Sequence, residues 1–243
     1  ATGDLFPKIM LLVVRCWFGF RSTRTKAGSM AKSVSTGSLK MQRDNFLLST
    51  AYLAPIEYYV VLANSERILL EQHEYYQKQS YRNRCRIATA NGIMDLSIPV
   101  DSAGKTPIRD LRISDHNNWQ THHWRSIETA YNSSPFFEYY ADDFRPFFEK
   151  KWLFLWDFNL ALFNKTLELL DIETKIELTE QYKPETSDNF LDLRAAIHPK
   201  KEISLLLKPY YQVFETKFGF MPNMSIIDLL FNMANEAQLI LKK

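Results

Sequence analysis

Apolar positions in this chain come first in short runs and later at helical spacing. "NFLLST" (45–50) is a brief apolar run of the kind a buried strand needs, and "RILLEQ" (67–72) repeats it. Between them Pro55 opens "PIEYYVVLANS", whose apolar positions 56, 60 and 63 predict a helix. Strand, helix and strand in so short a span predict a βαβ unit with a parallel pair. "CRIATANGIMDLSIPV" then sets Asn91-Gly92 between two β-like runs, a hairpin signature. Closing the turn on that dipeptide places Thr89 opposite Met94, Ile87 opposite Leu96 and Cys85 opposite Ile98, an apolar side throughout. On the other side Arg86 faces Ser97 and lies diagonal to Asp95. "IRDLRIS" (108–114) is a candidate third strand.

Beyond it the period becomes helical. Asn118 is placed to cap "WQTHHWRSIETAY", and Ser134 with Pro135 to start "PFFEYYADDFRPFF". "KWLFLWDFNLALFNKTLELL" is apolar at 152, 156, 160, 163, 167 and 170. "KIELT" returns to the sheet, residues 180–200 read as loop with one short helix, and Ser225 to Asp228 resembles a capping box. The predicted fold class is α/β: an N-terminal βαβ unit plus a β-hairpin forming a mixed sheet, followed by a mainly helical C-terminal half.

Composition changes this picture little. With 46% apolar residues, 243 residues can bury one sizeable core. Cys16 and Cys85 make neither a disulfide framework nor a metal-ligand spacing, so a reduced, cytoplasmic setting is expected. Charge is more informative. Residues 1–40 hold seven Lys/Arg against Asp4, which leaves the rest of the chain at −4 under a net charge of +2. A mildly acidic body argues against nucleic-acid binding. "IMLLVVRCWFGF" is too short to span a membrane and lacks a clear cleavage site. Residues 1–40 are therefore expected to be a disordered or non-native extension ahead of Met41, with 41–243 a single α/β domain.

One stretch departs from the acidic background. "EYYQKQSYRNRCR" sets Lys78, Arg82, Arg84 and Arg86 at even positions. On a strand, Arg82, Arg84 and Arg86 share a face over about 13 Å. Guanidinium groups offer paired donors to phosphate or carboxylate, and Tyr76, Ser80, Tyr81 and Asn83 add hydroxyl or amide groups. The competing reading is a solvated sheet face with Arg86 paired to Asp95. Among histidines, His123 lies on the stripe Trp119, His123, Ile127, Tyr131, as a core group or a general base. His73 ends the second strand, at the edge where open α/β sheets bind ligands. His122 faces solvent, and adjacent to His123 it cannot share a metal with it. His116 and His198 fall in polar loops, Asp142 and Asp143 read as surface charges, and Cys85 reads as core. With no glycine-rich phosphate loop and no G-x-S-x-G, no cofactor or metal is expected.

"YYQKQSYRNRCRIATANGIMDLSIPV", "NWQTHHWRSIETAYNSSPFFEYYADDFRPFF" and "FMPNMSIIDLLFNM" together, and in this order, resemble the WbqC-like protein family from about Phe46 onward. Matching positions are Lys78, Ser80, Arg82, Asn83, Arg84, His123, Tyr131, Pro222, Asn223 and Asp228. The chain departs from the pattern at Gln72 and His73, where relatives carry acids. The resemblance implies a place in O-antigen or other surface-polysaccharide biosynthesis, as a transferase passing an amino-acid (glycine) or acyl group to a sugar or nucleotide sugar. The implied partner is an anionic small molecule, a nucleotide sugar or an acyl or aminoacyl donor. It would sit on Lys78, Ser80, Arg82, Asn83, Arg84 and Arg86 with Tyr76 and Tyr131 nearby, and His123 or His73 would act as base. A non-catalytic anion-binding or scaffold protein of the same pathway is the alternative.

Overall fold

In the computed structural model, residues 45–101, 105–184, 189–203 and 205–242 are described. The extension at 1–40 and the start at Met41 lie outside these residues. β1 (Asn45–Ser49), α1 (Ile56–Ala63) and β2 (Arg67–Glu71) form the expected βαβ unit, with Leu48 beside Leu70 in a parallel register. β7 (Lys175–Leu178) joins β2 and β8 (Leu191–Asp192) joins β1, both parallel, so the order is β7-β2-β1-β8. β1 and β2 alternate in the manner of a strand. Phe46, Leu48, Ile68 and Leu70 face the core, and the outer face carries Leu47, Ser49, Arg67, Leu69 and Glu71. α1 is short because all but its last residue are buried, and packing rather than intrinsic propensity holds it.

The hairpin forms as β3 (Arg84–Thr89) and β4 (Gly92–Ser97), a two-stranded sheet of its own. The four-stranded sheet is therefore purely parallel. The hairpin's register is two residues from the expected one. Thr89 faces Gly92, Ile87 faces Met94 and Cys85 faces Leu96, with Ala90 and Asn91 making the turn. Gly92 takes φ +100, and Thr89 Oγ1 donates to the Gly92 carbonyl and accepts from the Asn91 N–H. A slip of two keeps each side chain on its face, so the apolar pattern alone could not separate the two registers. β6 (Arg112–Ile113) pairs with β5 (Val100–Asp101) and does not extend the hairpin.

α2 (Trp119–Tyr131), α3 (Phe137–Glu149) and α4 (Leu155–Leu169) supply the aromatic core. Phe158 meets Tyr52, Trp119, Phe148 and Trp152. Asn118, in a left-handed conformation, caps α2 with no side-chain hydrogen bond, and α3 begins two residues later than Pro135 suggested. Among the described residues of 180–200 there is no helix.

The segment before α5 (Ile226–Met233) is a staple rather than a capping box. Ser225 Oγ donates to the Leu53 carbonyl, and the Ser225 N–H donates to Arg86 O. Asn223 Oδ1 accepts from the Glu57 N–H while its Nδ2 donates to Glu57 Oε1. The first turn of α1 is thereby occupied by protein and offers no free phosphate cradle. Asp228 is fully buried, and its Oδ2 accepts from Tyr210 and Gln212, with no cation beside it among the described residues. Burial raises its pKa, so the folded chain holds a proton that the unfolded chain releases above pH 3.8. Stability therefore falls as pH rises through that window. Asp228→Asn, which deletes the charge and keeps an acceptor for Tyr210 and Gln212, is expected to raise the melting temperature at pH 7. That gain should vanish below pH 4, as thermal melts at the two pH values would read.

Candidate functional site

The carboxyl edge of the parallel sheet is where the chain concentrates buried charge. Chain order runs from β1 to β2 and β7 on one side, and returns to β8 on the other. Strand order therefore reverses between β1 and β8, the place where open parallel sheets leave a crevice. Ser49 ends β1 there, Glu71 ends β2, and Asp192 with Arg194 follows from β8.

Two arginines converge on Ser49. Arg82, 3% exposed, grips Glu74 through Nε to Oε1 at 2.7 Å and Nη2 to Oε2 at 2.6 Å. The same Nη2 donates to Ser49 Oγ at 2.7 Å. Arg82 Nη1 has no partner among the described residues. The loop that delivers this side chain is pinned twice, by the Tyr52 N–H on Tyr81 O and by Asn159 Nδ2 on Arg82 O. Arg194 is also buried but fully engaged. It meets Asp192 through Nε and Nη2, Glu71 Oε2 through Nη1 at 3.3 Å, and the Pro184 carbonyl, with the Tyr182 ring 5.1 Å away. Its own carbonyl accepts from Ser49 Oγ at 3.3 Å. Between the two arginines lies a hollow of about 10 Å³, room for a single water. Tyr58 closes one side, its hydroxyl on Ser49 O at 2.9 Å.

The cationic stretch does not act as one face. The strand begins only at Arg84, so Arg82 turns inward while Arg84 and Arg86 share the half-exposed hairpin face. Both bind Asp95, at 3.1 and 3.3 Å, and Asp95 stands directly opposite Arg86. Arg86 Nη2 also reaches the Pro199 carbonyl at 3.0 Å. Lys78 is exposed on the loop before them. Ser80 Oγ donates to Gln77 O, and Asn83 Nδ2 donates to Ile98 O, so these two shape the loop. Tyr76 is half-buried, its N–H on Thr106 O. Tyr131 is in the core, its hydroxyl accepting from the Ala88 N–H and ringed by Phe231. The structure thus gathers Arg82 at the sheet edge and Arg84 and Arg86 at the rim, and leaves Tyr131 within the core.

The two histidines part company. His73 follows β2 at the edge, its N–H on Glu71 Oε1 and its Nε2 3.0 Å from the Thr179 carbonyl. A carbonyl only accepts, so Nε2 carries a proton, and in the neutral ring that tautomer leaves the lone pair on Nδ1. His123 lies 5% exposed between Tyr52 and Trp119. Its Nδ1 is 3.0 Å from the Tyr52 hydroxyl, the Ser97 backbone also bonds the ring, and burial lowers its pKa to about 4. Cys85 is buried beneath the hairpin and its thiol is pushed far up by burial, so it is no nucleophile.

Sequence reasoning missed Ser49, Glu71, Glu74 and Arg194, and set His198 aside as a polar-loop residue. His198 is half-buried near Arg82; burial, then the Arg82 charge, lowers its pKa. The available signal was positional. Each of Ser49, Glu71 and Asp192 is the last residue of a strand that reaches the same edge. No group of three His, Cys, Asp or Glu able to hold a metal occurs among the described residues. Nor, among them, is any helix long and apolar enough to cross a membrane.

Comparison with known proteins agrees with the motifs. An uncharacterized protein, Rv1507c, from Mycobacterium tuberculosis is 25% identical over 219 residues, covering 79% of this chain and 94% of that protein. No solved structure matches the chain. The WbqC-like protein family matches residues 50–206, a span that takes in β2, the Arg82 loop, the hairpin, the three long helices and Arg194. The chain belongs to the WbqC-like protein family.

Proposed function

We propose that the chain is a transferase of surface-polysaccharide biosynthesis that passes an amino-acid or acyl group to a sugar or nucleotide sugar. The observation that carries this reading is Arg82: a buried guanidinium at the strand-order reversal, held rigidly by Glu74 and Ser49, with Nη1 left over. A buried ion pair contributes little net stability against an apolar replacement, so its use at a ligand-binding edge fits a site better than a scaffold. In this reading Arg82 meets the anionic part of the substrate, and Lys78, Arg84 and Arg86 draw it in from the rim. His73 Nδ1 takes the proton from the attacking amine or hydroxyl as the new bond to the acyl carbon forms and the leaving group departs. Among the described residues no activated nucleophile stands at the edge, so in this reading attack is direct. Family membership supports the polysaccharide setting.

The test is to incubate the protein with nucleotide sugars and with acyl and aminoacyl donors, and to follow added mass by mass spectrometry. A product that His73→Ala reduces at least about 100-fold, while substrate binding survives, supports the transferase. A second reading, a binding protein without turnover, draws on Asp95 and Glu74, which already neutralise the arginines. Ligand binding with no product from any pair would select it.

A further inference from the structure

The outer face of the parallel sheet holds a cavity of about 260 Å³ that the arginine edge does not use. Its floor is apolar: Leu47 and Leu69, adjacent across the β1–β2 register, with Phe190 at the side. Its polar lining comes from Glu177, Glu180, Gln181 and Lys183. Its inner end is Glu71 with Thr179, which donates to Glu71 Oε1 at 2.9 Å. We propose that this cavity binds a single neutral polyol ring, the size and chemistry of a monosaccharide.

Three alternatives fit worse. A wholly apolar ligand would strip water from the carboxylates and the amide without replacing its hydrogen bonds. An anion would find the cations Arg67, Lys175 and Arg194 already engaged by carboxylates, leaving Lys183 against Glu180 in the lining. A cation would find most of the negative charge taken, because Glu177 is held by Arg67 and Lys175 and Glu71 by Arg194. Glu177 is 31% exposed and acts as a fixed acceptor held by its two cations, which suits hydroxyl donors, while the buried Glu71 closes the inner end. A sugar ring also has a C–H face that matches the leucine floor and Phe190. The volume lies just below the ~300–1,000 Å³ of pockets for drug-sized ligands, so one ring fits and a whole nucleotide sugar does not.

Glu71 joins this cavity to the arginine edge, since the same carboxylate lines one and binds Arg194 in the other. A ring in the cavity would therefore sit beside an anionic group at the edge. That link to transfer rests on the proposed function, whereas the ligand class rests on the cavity alone.

The experiment is saturation-transfer NMR on the full chain with glucose, galactose and N-acetylglucosamine, and with phosphate and ethylamine as class controls. At least one sugar should bind, and Glu180→Ala combined with Gln181→Ala should weaken it by about tenfold. Both residues are exposed, so this variant should stay folded. Arg84→Ala should leave sugar binding unchanged. Silence from every sugar, an equal signal from the double variant, or binding of ethylamine or phosphate in their place would overturn the assignment. Sugar binding with no transfer product from any donor would sink the transferase reading alone. Product formation without sugar binding would sink this one alone.

Discussion

Glu74→Ala is expected to cost about 3–5 kcal/mol of folding stability, the usual penalty for leaving one member of a buried ion pair alone. Arg82 and Glu74 are 3% and 4% exposed, so Glu74→Ala leaves the guanidinium buried without the carboxylate that holds it. Replacing both, as Glu74→Leu with Arg82→Met, should return most of that loss, because apolar residues of similar volume remove the desolvation cost together with the pair. Denaturant unfolding of the two single variants and the double variant reads the coupling directly. The double variant also separates fold from function. It should be folded and yet bind no anionic substrate. If the double variant is folded and binds anions like the native chain, Arg82 is not the anchor of the site.

Acid is expected to unfold this protein early, through His123. Its pKa is lowered to about 4 from 6.5 by burial, so the folded state holds it neutral while the unfolded chain takes up a proton. The contribution is complete above pH 6.5 and is lost as pH falls toward 4. A shift of this size corresponds to about 3 kcal/mol between those limits. Asp228 works in the opposite sense from pH 3.8 upward, since its raised pKa favours the folded state as acid is added. His123→Gln keeps a hydrogen-bonding group near Tyr52 and does not titrate. Its stability should be lower than the native chain's at pH 7 and should change much less between pH 7 and 4. A His123→Gln variant that loses stability between pH 7 and 4 as steeply as the native chain would contradict the buried neutral ring.

The elements that the sequence reveals are those whose signal is local. Leu48 and Leu70 lie in apolar runs, and α1 has helical spacing between a proline start and Asn64, so β1, α1 and β2 follow from neighbours along the chain. Arg84 and Arg86 share a face because strand side chains alternate, which no register changes. The hairpin register itself was not legible, because a shift of two preserves the faces and the turn at Ala90-Asn91 is chosen by Gly92's positive φ and the Thr89 hydroxyl. Asn118 and Ser225 look like helix caps in one dimension. Neither side chain caps its helix, and Ser225 bonds Leu53, 172 residues away.

The candidate site divides along the same line. By itself the sequence determined the βαβ strands, the hairpin and the helical half, a cationic stretch at Lys78, Arg82, Arg84 and Arg86, and a histidine at a strand end, but not β8, which lies where it predicts a loop with a short helix. Each depends on residues a few positions apart. Only the tertiary structure decided that Arg82 turns inward to Glu74 and Ser49, that Arg194 reaches Glu71 across 123 residues, and that His123 is enclosed while His73 stands at the edge. The physical reason is burial. A charge leaves water only where distant segments supply its partners together, and which segments meet is set by the order of the strands, not by the residues beside it.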